Sequence, residues 1–365
     1  MYIFLDKFTY NDPLNIIFLC GSRYQKTTTE KRNILKEHLE NNVTNCHVII
    51  LEENFHFRNT TRAHLAYDDI FLYSLAHVEE LASLFADSII IIHETISTAA
   101  ELGMFANNPA LLKKICLLTP DSYSVEEDKV SAFIRLAFLQ EGAPETTIGK
   151  HVTFFPDIKR FLDSPEKSGY YTYFHNNAIG EHLSRNVLSF VQKESAPQEV
   201  KFHKLQYNKP LKNEFSVDYT IDSDTSSVSV YVHSNTLKMQ LLSLLFQPEV
   251  QSEIGKNKKI AEHISFLQAK YTQILKDSID YYSGKNITDY ELSISMKNTQ
   301  CTLRQAIGYF VYMLQAIDFV RMRQMDEKDP KSRKISITSS AEELKDTFSS
   351  VITESTTSAF GGLNL

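Results

Sequence analysis

The sequence predicts a doubly wound α/β domain over residues 1–158, followed by a mainly helical domain over 159–365 that carries one β-hairpin. Three observations lead there. Short β-branched runs alternate with helical patterns along the first 155 residues, as parallel strands covered on both faces should. Beyond about residue 160 the pattern turns to long amphipathic helices around one pair of alternating apolar–polar segments. The 365 residues suit two domains, and 42% hydrophobic with 23% charged residues is an ordinary globular composition.

Each element has its own signal. Asn15-Ile16-Ile17-Phe18-Leu19-Cys20 is a buried strand that ends in Gly21-Ser22. Thr27-Thr28-Thr29-Glu30 has capping-box spacing and opens a helix through Leu39. Cys46-His47-Val48-Ile49-Ile50-Leu51 is the next strand. Leu75, Val78, Leu81, Ala82 and Phe85 recur at helical spacing over 74–86, and Asp87 closes that helix. Ser88-Ile89-Ile90-Ile91-Ile92 follows as a strand, then a helix from Thr98 to Asn107, stopped by Asn108-Pro109. Lys114-Ile115-Cys116-Leu117-Leu118 is a further strand, and Ser124-Val125-Glu126-Glu127 caps a helix over 125–140. In the second half come the aromatic stretch Tyr170-Tyr171-Thr172-Tyr173-Phe174 and a helix near 180–192. A hairpin over 215–233, helices near 236–247, 257–283 and 301–325, and a frayed Ser/Thr/Gly-rich tail over 355–365 complete the chain.

Composition excludes several classes of function. With 38 Lys+Arg against 45 Asp+Glu, the net charge of −7 argues against a protein that coats nucleic acid, while leaving room for local basic faces. The four cysteines lie far apart with no CxxC pair, so zinc and disulfide frameworks are not expected and a reducing cytoplasm is. No apolar run reaches the roughly 18 residues that span a bilayer, so no membrane contact is expected.

Ligands of open parallel sheets bind beyond the carboxyl ends of the strands. Two loops stand there: Cys20-Gly21-Ser22, where glycine lets a backbone approach a ligand, and the stretch from His93 and Glu94 to Glu101-Leu102-Gly103. By spacing alone, Thr98-Ala99-Ala100-Glu101 also reads as a capping box with Glu101 as its carboxylate. Likewise Glu79, on the 74–86 helix, reads by itself as a solvated residue.

Taken together, Ile16-Ile17-Phe18-Leu19-Cys20-Gly21, Glu79, Asp87-Ser88-Ile89-Ile90-Ile91-Ile92, Glu94 and Glu101-Leu102-Gly103-Met104-Phe105-Ala106-Asn107-Asn108 resemble the nucleoside 2-deoxyribosyltransferase-like superfamily. Within it, they are most similar to effectors encoded beside retron reverse transcriptases. The resemblance covers roughly residues 15–155. It implies that Glu101 is the nucleophile and that Glu79 holds the sugar hydroxyls or the base. It further implies that Cys20, Gly21 and Ser22 line the sugar pocket, and that the small residues around Thr98 admit the substrate closely.

The implied reaction is cleavage of an N-glycosidic bond, with NAD+ foremost as substrate, by the toxic effector of a retron antiphage system. Positive charge develops at the anomeric carbon and a carboxylate stabilises or traps it. Nicotinamide needs no acid to leave; for other bases Glu94 or Glu79 is the candidate donor. No cofactor and no metal are called for. The alternatives are a salvage transferase or hydrolase of nucleosides, and a non-catalytic nucleotide-sensing module. Expected partners are the nucleotide substrate, the reverse transcriptase with its single-stranded DNA or RNA, and further copies of the chain. The basic clusters Lys256, Lys258, Lys259 and Arg321, Arg323, Lys331, Arg333, Lys334 are the expected nucleic-acid contacts, although charge runs are usually solvated surface.

Overall fold

The computed structural model describes residues 14–21, 24, 25, 27, 30–54, 75–106, 108–121, 138, 151–156, 174, 179–192, 200–206, 215–297, 299–324 and 332–344. Ser22, Lys331, the 125–140 helix apart from Phe138, the aromatic stretch apart from Phe174, and the tail lie outside the described residues. Those described fall into two compact units: residues 14–54 with 75–192, and residues 200–344.

The first unit is the expected parallel α/β sheet. In chain order it runs β1 (Asn15–Cys20), α1 (Lys31–Asn42), β2 (Cys46–Ile50), α2 (Leu51–Asn54), α3 (Leu75–Phe85), β3 (Ser88–Ile92), α4 (Ile96–Ala106), α5 (Pro109–Leu112), β4 (Ile115–Asp121), β5 (Val152–Pro156) and α6 (Glu181–Val191). The strand order is β2-β1-β3-β4-β5, with every pairing parallel. Alternate residues of the strands face opposite layers. Ile17, Leu19, Val48, Ile50, Ile90, Ile92, Cys116 and Leu118 share one core with Ile34, Leu35 and Leu39 of α1 and Leu183, Val187 and Val191 of α6. The alternate positions Ile16, Phe18, Ile89, Ile91 and Leu117 are fully buried as well, and α4 packs on β3 and against α3. Two buried faces explain why the strands read as unbroken apolar runs rather than as alternation.

Two helix starts differ from the sequence reading. α1 begins at Lys31, because Glu30 rather than Thr27 caps it, accepting from the backbone N–H groups of Arg32 and Asn33. α4 begins at Ile96, two residues before the expected Thr98. There Thr98 reaches back, its Oγ1 accepting from Thr95 N at 3.2 Å and donating to Thr95 O at 2.7 Å. Asp87 ends α3 as expected and also joins it to the sheet, its carboxylate accepting from Ile16 N at 2.8 Å and its own N–H donating to Ile16 O at 2.8 Å.

The second unit contains β6 (Lys201–Lys204), β7 (Ser216–Asp222), β8 (Ser227–Val232), α7 (Ser234–Leu245), α8 (Pro248–Ile254), β9 (Lys258–Lys259), α9 (Ile260–Ser283), β10 (Glu291–Met296), α10 (Leu303–Ala316), β11 (Val320–Gln324), β12 (Ser332–Ile337) and α11 (Ser339–Glu342). The expected hairpin is β7–β8, turned where Asp222 Oδ1 accepts from Asp224 N and Thr225 N. It forms the centre of a four-stranded sheet, β10-β8-β7-β6, rather than standing alone. The expected 301–325 helix is corrected: it stops at Ala316, Asp318 turns the chain at φ 57°, and Val320–Gln324 pairs antiparallel with β12. The apolar residues Ile317 and Val320 fit either period, and only pairing with a strand distant in sequence selects the extended one. Likewise Lys258–Lys259 is drawn out of the expected 257–283 helix by pairing with Ser332 and Arg333. Among the described residues no helix is long and apolar enough to cross a membrane.

Candidate active site

The order β2-β1-β3 makes the gap between β1 and β3 the point where successive crossovers diverge to opposite sides, and ligands of such sheets bind outside the strand ends there. Cys20 pairs in register with Ile91, and Leu19 with Ile50. β2 ends at Ile50 and α2 begins at Leu51, so Glu52 lies in the first turn of α2, a helix that packs against β1.

Glu101 projects toward this edge from the second turn of α4, since helical side chains lean toward the helix N-terminus. With α4 starting at Ile96, it is not the capping carboxylate. Its Oε2 is buried and accepts no hydrogen bond from the described residues. Burial first, and the negative charge of Glu52 second, push its carboxyl up to about 7, with Arg32 acting in the opposite direction.

Arg32, from the first turn of α1, is 1% exposed. Its Nε donates to Glu30 Oε1 at 3.0 Å, and its Nη1 lies 3.0 and 3.1 Å from the two oxygens of Glu52. The guanidinium lies over the Tyr24 ring, 5.0 Å from its centroid, and Tyr24 Oη donates to Asn33 Oδ1 at 2.9 Å. A Cβ at Gly21 would stand 3.1 Å from Arg32 Cδ and Nε. A side chain at this position would press on the arginine and shift it by a few tenths of an ångström, so the glycine gives the guanidinium room. Beside these groups Tyr24, Asn33, Lys36 and Glu53 help line an open cleft of about 300 Å³.

The other expected site residues take different positions. Cys20 is buried, and its thiol is pushed well up by burial and then by Glu101 and Glu52, so it stays neutral near the acids. Glu94 forms an ion pair with Lys31 at the start of α1. Thr98 is fully buried, its hydroxyl engaged by Thr95 and, at 3.1 Å, by His93 Nδ1. Glu79 lies mid-way along α3, its carboxyl raised by burial and by its neighbour Glu80; the carboxylate whose charge reaches Glu101 is instead Glu52. Glu52 and Arg32 escaped the sequence reading. The signal for Glu52 was present, since Leu51-Glu52-Glu53-Asn54 directly follows a strand's carboxyl end. Arg32 had none, because an arginine on an amphipathic helix ordinarily faces water.

Glu30 and Glu52 thus bind one guanidinium whose charge reaches Glu101, and three carboxyls share a neighbourhood with that one cation. No curated protein matches the chain. The family model described as STM3845 retron effector protein matches residues 28–322, from just before α1 into β11. With the match running through both units, the chain belongs to the STM3845 retron effector protein family.

Proposed function

We propose that this retron effector is an N-glycosidase that cleaves the base–sugar bond of a nucleotide, with NAD+ as its substrate and Glu101 as the carboxylate facing the anomeric carbon. The carrying observation is the buried, unpartnered Oε2 of Glu101 at the strand-order switch of a parallel sheet. A carboxylate without a donor in a partly dry site is poorly stabilised in the free protein. Positive charge developing on the sugar supplies the missing partner, so the interaction strengthens toward the transition state, as catalysis requires. The C–N bond breaks with its electron pair going to the base, and nicotinamide leaves neutral. Water then adds to the anomeric carbon, directly or after a glycosyl–Glu101 ester, and its proton passes to a carboxylate or to solvent. Membership of a retron effector family supports a toxic role in antiphage defence.

The test is base release from NAD+, nucleoside monophosphates and deoxynucleosides by the purified chain, followed by chromatography. Wild type should release nicotinamide, and Glu101→Gln should lose about a hundredfold or more in rate. A Gln variant that retains activity, or a wild type freed of its retron partners that releases no base, overturns the reading. Tight nucleotide binding without turnover would identify a sensing module instead. Cleavage confined to deoxynucleosides, with cells tolerating expression, would identify a salvage enzyme.

The same reading assigns residues 200–344 to partner contact, and a feature of β9, β11 and β12 supports nucleic acid as part of that partner. Their register aligns Arg323 with Lys334, Arg321 with Ser336, and Lys259 with Ser332. Because sheet faces alternate, Arg321, Arg323, Lys334 and Lys259 share one face, and all four are exposed. The opposite face carries the buried Val320 and Ile335. Two basic clusters far apart in sequence thus form a single cationic surface suited to phosphates, such as those of a reverse transcriptase's single-stranded DNA.

A further inference from the structure

We infer that Arg32 and Glu52 are positioning residues that act through Glu101: Arg32 fixes the Glu52 carboxylate beside the β1 turn, and Glu52 holds the guanidinium so that the buried Oε2 of Glu101 has no bonded cation until the substrate brings one. The inference rests on the N-glycosidase reading for its consequence and on separate geometry for its cause.

Glu52 lies in the first turn of α2, which packs against β1, and the Arg32 side chain meets both Glu52 and Gly21 there. The guanidinium reaches both oxygens of Glu52 and is itself held by Glu30, and Gly21 clears its path. An arginine 1% exposed is costly to bury unless several acceptors meet it. Here those acceptors are carboxylates, and none of its hydrogen bonds goes to Glu101 Oε2. Arg32 thus holds Glu30 and Glu52 together. Glu101 is left facing Glu52 from α2, Arg32 from α1 and the neutral Cys20 thiol at the end of β1.

Glu52 opposes the charge on Glu101 and Arg32 favours it. A residue that merely stapled the loop would, on removal, loosen the site in one direction. These two should move it in opposite directions. The site is thereby tuned for a substrate with a cationic glycosidic nitrogen, which restores the Glu101 anion on binding.

The experiment is a carbon-13 NMR titration of side-chain-labelled glutamates in the full chain, with Glu101 assigned by its loss in Glu101→Gln, alongside pH–rate profiles with NAD+. Glu52→Gln should shift the Glu101 midpoint, and with it the acidic limb of the rate profile, downward by about one pH unit; Arg32→Gln should shift both upward by a similar amount. Arg32→Lys keeps the cation and serves as the folding control, with a midpoint near wild type. A Glu52→Gln midpoint that does not move, or two neutral variants that move together, overturns the inference. Opposite shifts in a chain that releases no base from any nucleotide would uphold the inference about these residues and overturn the glycosidase reading alone.

Discussion

A glutamate whose carboxyl titrates near about 4.3 when unfolded, and at about 7 in the folded chain, takes up a proton on folding between those values. The sign follows from linkage: the folded state binds more protons, so its stability falls as pH rises through that window. Below about pH 4 both states are protonated and nothing is lost; above about 7 the whole cost of the buried anion is present. Glu101→Gln removes the titration. It should be no more stable than wild type at pH 4 but more stable at pH 8, by on the order of 2–3 kcal/mol after allowing for the partly open site. Urea unfolding at both pH values measures this, and a difference that does not change with pH would show that the carboxyl is not raised. Activity should follow the opposite order, since the same anion that strains the fold is the one proposed to meet the sugar.

At the scale of elements, the site depends on where helices begin. α4 starts at Ile96 because Thr98 returns its hydroxyl to Thr95. This start sets Glu101 in the second turn with its Oε2 buried at the strand ends. α1 starts at Lys31 because Glu30 caps it and, with the same carboxylate, holds Arg32. One residue thus terminates a loop and orients a charge. Thr98→Val keeps the shape and removes the hydroxyl, leaving Thr95 N–H without its acceptor. The expected loss is about 1–2 kcal/mol in stability, read from the thermal midpoint, together with a fall in base release larger than that in NAD+ binding. Base release unchanged in Thr98→Val would mean that the start of α4 does not control Glu101.

Across the whole molecule, the proposed function implies a division of labour: chemistry at the parallel sheet of one unit and partner contact in the other. The exposed cationic face of β9, β11 and β12 gives the second part a specific test. Arg333 pairs with Lys258 on the opposite face from Lys334, and Arg321 is already bound by Asp318 at 3.2 Å. Charge reversal at Lys259, Arg323 and Lys334 should therefore weaken single-stranded DNA binding most. The slope of log affinity against log salt should flatten by about two to three, while base release from NAD+ stays at the wild-type rate. Fluorescence anisotropy across a salt series checks this, and an unchanged slope would leave the face as solvated surface.

The strands of the α/β sheet were legible in the sequence because they are buried on both faces, and continuous runs such as Ser88–Ile92 have few other readings. The Cys20-Gly21 turn and the stretch around Glu101 stood out because ligands of such sheets gather at strand ends, while the role expected of Glu101 came from the family resemblance alone. Three things were decided only by the tertiary structure. The helix starts at Lys31 and Ile96 were decided by side chains competing to cap, which spacing alone cannot rank. The extended conformation of Val320–Gln324 and Lys258–Lys259 was decided by pairing with β12, a contact distant in sequence. The partnership of Arg32, Glu52 and Glu101 was decided by packing beyond the strand ends, where Arg32 of α1 meets Glu52 of α2 and Gly21 after β1. Local patterns specify which faces are buried; which charges then meet at the edge is a property of how elements far apart in the chain pack.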